Sequence, residues 1–197
     1  MFNVELFEKI FIQQDGNCMF RAISSFIDSR LFTCRRKRDG VSVNKNLKQI
    51  ENNLSKSLRC IVVSYMILHK NKFSNSIYYD NEYYDSIDDR IDNMNENGEF
   101  GGKLELYIMS KIYKIQINIF VKNSDGYNLI SKIGKDSNNV CNLFHNNNHY
   151  ELLSVKNEFQ KLFNNTYKEW IKENQNINYE EIINSDHSIS ESDYEIV

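Results

Sequence analysis

The chain has 197 residues, 41% of them hydrophobic and 26% charged, with a formal net charge of −3. That length suits one domain with a modest extra element and room for a proper core. No apolar run approaches eighteen residues, which excludes a membrane-spanning helix, and the slightly acidic balance gives no global attraction to nucleic acid.

Proline is absent and alanine occurs once, at Ala22, against 28 asparagines and 23 isoleucines. Most of this follows from the genetic code: an AT-biased gene enriches Asn, Lys, Ile, Tyr and Phe and starves Pro, Ala and Gly. Runs such as Asn146 to Asn148 therefore call for no functional reading by themselves. Cysteines at 18, 34, 60 and 141 form neither a disulfide framework nor a C-x-x-C pair. His145 and His149 have no cysteine partners nearby, so neither a metal nor another cofactor is expected. The opening MFNVELFEKIFIQQ has acidic residues where a secretory segment carries positive charge, and no small-residue cleavage site follows. The chain reads as a protein kept in a reducing cytosol.

Apolar residues at Phe20, Ile23, Ile27 and Leu31 have the helix period and predict a helix from Asn17 to about Leu31. Arg35, Arg36, Lys37 and Arg38 form a basic run closed by Asp39-Gly40, read as a solvated loop; it lacks the aromatic interleaving of a nucleic-acid site. Helical spacing from Leu47 to Leu68 predicts a long core-facing helix, with Cys60 as one of its core residues. Cys34 lies beside the basic run, yet nothing supplies it with a base. Tyr84, Ile87, Ile91 and Met94 mark another helix, ending near Asn97-Gly98. Its carboxylates, including Asp88 and Asp89, are read first as a solvated face. A further helix carries Leu104, Tyr107, Ile108 and Ile112.

The period then switches. Ile115, Ile117, Ile119 and Val121 alternate with Lys114, Gln116, Asn118 and Phe120, predicting a half-buried strand, and Ser124-Asp125-Gly126 turns the chain into a second near Tyr127 to Ile133. Val140 to Phe144 and His149 to Val155 read as two more strands. Helices followed by a small, mostly antiparallel sheet indicate an α+β fold. Phe159, Leu162, Phe163, Tyr167, Trp170 and Ile171 form an added C-terminal helix, packed on the sheet or covering its edge. The division expected is 1–155 as the main domain, 156–184 as a helical extension and 185–197 as an acidic, unstructured tail.

Cys18 opens the first helix, preceded by Asp15-Gly16-Asn17. A helix N-terminus favours a thiolate and so lowers the thiol pKa. The amides around Gly16 and Asn17 are placed to form an oxyanion hole, and the glycine lets backbone approach a substrate carbonyl. Such a nucleophile needs a base, and His149, at the start of a strand after a polar loop, is the candidate; His145 is the weaker choice. Residues i and i+2 of a strand share a face, so Glu151 lies beside His149 and Tyr150 points away. Glu151 is thus placed to accept the Nδ1 proton, leaving Nε2 to take the thiol proton. The plain alternative is that a helix-start cysteine is structural, as it is in most proteins.

The run Asp15-Gly16-Asn17-Cys18-Met19-Phe20-Arg21-Ala22 resembles the D-G-N-C-x-F-R-A nucleophile signature of the ovarian tumour (OTU) cysteine proteases. Three further blocks agree in order. Leu58-Arg59 resembles the family's second helix, Met94 through Glu99-Phe100-Gly101-Gly102-Lys103-Leu104-Glu105-Leu106 its M-x4-E-W-G-G-x-x-E-L block, and Leu143 through His149-Tyr150 its closing L-x5-H-Y. Phe100 stands for the usual tryptophan, and Glu151 for the usual Asp or Asn. The resemblance implies a papain-like OTU fold and a deubiquitinase that hydrolyses isopeptide bonds after the C-terminal glycine of ubiquitin or a ubiquitin-like modifier. Cys18 would be the nucleophile and His149 the general base. Family practice also places an acid upstream of the cysteine, here Asp15, so the third member is left between Glu151 and Asp15.

The expected partners are ubiquitin or polyubiquitin chains, with no nucleic acid, no membrane and a monomeric state. The alternative is an inactive ubiquitin-binding module of the same fold. An AT-biased gene for such a protease fits a large DNA virus or an intracellular microbe, acting in the host cell cytoplasm. On this reading the acidic helix face, Asp80 to Glu99, has a second use in steering the arginine-rich tail of ubiquitin.

Overall fold

The computed structural model describes residues 1–73 and 86–174. The nucleophile candidate Cys18 and the base candidate His149 sit at the starts of two elements that the fold brings against each other. Helix α1 (Cys18–Ile27) is followed by the single turn α2 (Ser29–Phe32). The sequence predicts one helix to Leu31, but Asp28 interrupts it by accepting the Arg30 N–H at 2.9 Å as the cap of α2. A short polar side chain at that position competes with the helix it would otherwise continue. Next come α3 (Lys45–Leu68), α4 (Lys70–Phe73), α5 (Ile87–Asn95) and α6 (Lys103–Tyr113).

Asn44 caps α3 through the Asn46 and Leu47 amides, and Ser86 caps α5 through the Asp89 amide. Tyr84, expected in this last helix, lies outside the described residues. On α3 the inward side carries Leu58, Arg59, Val62, Val63 and Met66, which places Cys60 on the outward side. Cys60 is exposed, not a core residue as its apolar neighbours suggest.

Strands β1 (Phe7–Ile10), β2 (Gln116–Lys122), β3 (Tyr127–Ile133), β4 (Val140–Asn146) and β5 (His149–Val155) form one sheet in the order β1-β5-β4-β2-β3. All neighbours are antiparallel except β2 and β4, which run parallel because the chain crosses back past β2 after the β2-β3 hairpin. Strand β1 has no counterpart in the sequence reading. Four residues, Phe-Glu-Lys-Ile, are too few to show a period, and pairing with β5 makes them a strand, with Lys9 opposite Leu153 and Ile10 opposite Leu152.

Helices α1, α3, α5 and α6 cover one face of the sheet, enclosing Phe20, Ile23, Leu58, Val62, Met94, Ile108, Ile117 and Leu143. The other face is covered as well, by Phe2 and Leu6 from the N-terminal segment and by Phe163 of α7 (Gln160–Glu173), all packed on Phe7, Phe120, Tyr127 and Leu153. This second layer explains why β2 is not the half-buried strand that its alternation predicts: Gln116 to Phe120 are buried throughout. The polar residues of that alternation are paired with one another. Gln116 donates to Asn118 Oδ1 at 2.9 Å and to the Tyr167 hydroxyl at 2.5 Å, and Asn118 donates to Asn142 Oδ1 at 2.9 Å. Buried amides are tolerated when satisfied in this way.

The two-residue connection from β4 to β5 is Asn147-Asn148, with φ of 45° and 61°. Both are left-handed, as the favoured hairpin turn requires, and asparagine is the residue besides glycine that accepts this conformation readily. In a glycine-poor chain the asparagines here have a local purpose that composition alone hides. They set His149 as the first residue of β5, opposite Asn146.

Candidate active site

The turn before α1 is built by one side chain. Asp15 Oδ1 accepts the Asn17 N–H at 3.0 Å while its backbone carbonyl accepts the Cys18 N–H, also at 3.0 Å. Arg21, one turn into α1, holds the same carboxylate through Nε at 3.1 Å and Nη2 at 2.8 Å, and reaches Asn52 Oδ1 on α3 at 2.6 Å. The turn lies so close to the loop after α5 that a Cβ at Gly16 would stand 1.4 Å from the Gly98 carbonyl oxygen. Glycine is required there by protein backbone, beside any substrate it also admits.

Arg59, buried in the middle of α3, fastens the turn from behind. Its guanidinium donates to Asn17 Oδ1 at 2.8 and 3.2 Å, to the Gly16 carbonyl at 3.1 Å, to the Met94 carbonyl at 3.1 Å and to the Glu99 carbonyl at 2.6 Å. It stacks over Phe20 with its carbon 4.5 Å from the ring centre. Arg21 and Arg59 are positioning residues that the sequence reading noted only as parts of motifs; an arginine in an otherwise inward-facing helical stripe was the available signal.

Cys18 is 1% exposed. Its Sγ receives the Tyr150 N–H at 3.4 Å and lies 3.8 Å from the Asn148 carbonyl, to which the thiol donates. Burial pushes the thiol pKa up, with Asp15 adding to the rise, against the lowering by the amides of Tyr150 and Met19. The depressed pKa expected from the helix N-terminus is thus outweighed by desolvation of the buried thiol.

His149 lies beside the same strand segment. Burial is the largest influence on its imidazole and lowers the pKa; Glu151 and Asp15 raise it, Lys9 lowers it, and a hydrogen bond to the Ile12 carbonyl raises it. Nε2 is buried without a hydrogen-bond partner. Glu151 shares the sheet face of His149, and Tyr150 points into the opposite core as expected. The hydrogen bond of Glu151, however, is with Lys9, Nζ to Oε2 at 2.7 Å. His145 belongs to the other side, stacked on Tyr150 with ring centres 4.4 Å apart.

Lys9, Asp15, Phe100, Asn148, His149 and Glu151 line a cleft of about 650 Å³, with Cys18 directly behind the Asn148 and Tyr150 backbone. Phe100 is 45% exposed on its rim. Asp88 and Asp89 do not line it: Asp88 pairs with Lys70 at 2.5 Å and Asp89 with the helix cap Ser86. The basic run is not simply solvated either. The Arg36 side chain is covered and paired with Glu51 at 3.0 Å, tying that loop to α3.

A thiol at a helix start, held against the strand that carries a histidine and a carboxylate, is the layout of a papain-like cysteine hydrolase. The model of the OTU-like cysteine protease family matches residues 13–151, and the chain belongs to that family. A protein of Tipula iridescent virus, named provisionally as a ubiquitin thioesterase, is 25% identical over 128 residues, 61% of this chain. The match spans only 13% of that relative's length. The fold resembles the OTU domain protease of Dera Ghazi Khan virus, with a TM-score of 0.57 and 20% identity over 79% of this chain and 85% of that one. It also resembles the Hazara virus OTU, solved bound to ubiquitin, with a TM-score of 0.52 and 18% identity over 79% and 86% of the two chains. The papain-like OTU fold expected from the motifs is the fold observed. Among the described residues no helix is long and apolar enough to cross a membrane.

Proposed function

We propose that the chain is a deubiquitinase, a thiol hydrolase of isopeptide bonds after the C-terminal glycine of ubiquitin or a ubiquitin-like modifier. Family membership, the thioesterase name of the viral relative and the ubiquitin bound to the Hazara virus OTU support this reading. The observation that carries it is the Cys18 Sγ at 3.4 Å from the amide next to His149, which presses the nucleophile against the strand bearing its base.

Cys18 attacks the glycine carbonyl as His149 takes the thiol proton. The oxyanion forms beside Gly16 in the turn before α1, and the Asn17 and Cys18 amides, held by Asp15 in this structure, must leave Asp15 to donate to it. Collapse breaks the C–N bond, and His149 returns its proton to the departing lysine amine. Water, deprotonated by His149, then attacks the thioester and frees Cys18. Asp15 acts through the turn, and Glu151 through the field at the imidazole. Ubiquitin and polyubiquitin chains are the partners and a monomer the working state, in the cytoplasm of a host cell. Residues 1–155 form the catalytic unit and α7 the described part of the extension expected over 156–184; its end and the tail expected over 185–197 lie outside the described residues.

Hydrolysis of ubiquitin carrying a C-terminal fluorogenic amide tests the reading. Turnover by the native chain, lost in Cys18→Ala by about a thousandfold or more, supports it; no turnover by folded native chain overturns it. Glu151→Gln and Asp15→Asn divide the remaining roles. If only Asp15→Asn loses turnover with the fold intact, the assignment of Glu151 is wrong. The pairing of Glu151 with Lys9 rather than the imidazole favours one second reading, an inactive module of the same fold, which binds ubiquitin with measurable affinity and never cuts it.

A further inference from the structure

We propose that Lys9 is a positioning residue: by neutralising Glu151 it decides how strongly that carboxylate acts on His149, and so where on the pH scale the general base works. The inference rests on the catalytic reading above.

Lys9 lies opposite Leu153, two residues along β5 from Glu151, and both side chains reach the same cleft wall. The 2.7 Å contact joins an ammonium that is 30% exposed to a carboxylate that is 9% exposed, so this is not a screened surface pair. Two rings hold the ammonium in place, Phe11 with its centre 4.6 Å away and Phe144 at 5.3 Å. Cation–π contacts of this kind fix a lysine that would otherwise sample many rotamers.

Glu151, two residues along the face from His149, is the carboxylate that stabilises an imidazolium. With Lys9 bound to it, the pair presents His149 with little net charge. The ring's Nε2 is left buried and unpartnered. The other charged groups near the ring are Asp15, which favours the imidazolium, and His145 on β4; Arg38 and Asp39 line the same cleft. An acid one methylene longer than the family's usual residue is therefore matched by a lysine that reaches it. The effect is to keep the base neutral, and so competent, to lower pH.

The test combines the acid limb of kcat/KM, read with the fluorogenic ubiquitin amide, and the titration midpoint of His149 followed by NMR in ¹³C-histidine-labelled protein without substrate. Lys9→Met moves limb and midpoint upward by about half a pH unit or more. Lys9→Arg, which keeps the charge, restores them towards native values. Glu151→Gln, which leaves the ammonium uncompensated, moves both downward. Native values in folded Lys9→Met overturn the proposal; should that variant not fold, an unmoved midpoint in Glu151→Gln overturns it equally. A native chain without turnover sinks the deubiquitinase reading, while the NMR midpoints still decide the part played by Lys9.

Discussion

Arg59 holds the side-chain oxygen of Asn17 between two of its nitrogens, at 2.8 and 3.2 Å, and so fixes the residue immediately before the nucleophile from a helix 42 positions away. The same guanidinium takes the carbonyls of Met94 and Glu99, locking the cysteine turn and the loop before α6 into one unit. Two of the motif blocks recognised in the sequence meet at this side chain.

Arg59→Ala strands those buried acceptors and opens a void between α3 and the turn. A stability loss of about 3 kcal/mol is expected, with turnover falling further than the unfolded fraction accounts for. Lysine is a poor replacement, because a point charge does not span acceptors on two loops. Urea titration and rate measurement on the same preparations check both. A variant with native stability and native turnover would remove Arg59 from the account.

The resting site should hold a neutral thiol beside a neutral imidazole, since burial pushes Cys18 up and His149 down. Alkylation of the free protein by iodoacetamide is therefore slow at neutral pH and climbs with a midpoint above the ordinary thiol range. A rate already level at pH 6 would mean a preformed ion pair. His149 and His145 both have lowered pKa values in the fold, so the unfolded chain takes up protons first. Stability is retained above the ordinary histidine pKa of about 6.5 and lost as the pH falls below it. Thermal unfolding between pH 7.5 and 5.5 measures this.

Helix α7 is part of the second core rather than an ornament. Phe163 is 5% exposed and packs on Phe2 and Phe7, with ring centres 5.4 and 5.6 Å apart. Phe163→Ala should cost about 3 kcal/mol, and Tyr167→Phe about 1 kcal/mol through the lost bond with Gln116. A Phe163→Ala change under 0.5 kcal/mol in chemical denaturation would show that the helix is loosely attached.

Much of this was legible in the sequence because it is local. The D-G-N-C run, most of the helical stripes and the strand carrying His149 and Glu151 depend on neighbours within a few positions and lie where those patterns place them, the exceptions being the break at Asp28 and the outward turn of Cys60. What was not legible depends on partners far along the chain. Strand β1 exists through β5, and β2 is buried on both faces because α7 and Phe2 come to cover it. Arg36 leaves the solvent for Glu51. The thiol pKa is the sharpest case: the helix start argues for a drop, and burial of Cys18 in the core outweighs it. Likewise Lys9, remote in sequence from residue 151, takes the carboxylate that the strand period offers to His149.

The central claim is that Cys18 is a nucleophile presented to the C-terminus of ubiquitin. Its most direct test is incubation with ubiquitin bearing a C-terminal thiol-reactive warhead, followed by intact-mass and peptide analysis. One covalent adduct is expected, located on Cys18, absent in Cys18→Ala and slowed in His149→Ala. A folded native chain that forms no adduct, or forms it on Cys34, Cys60 or Cys141 instead, would contradict it.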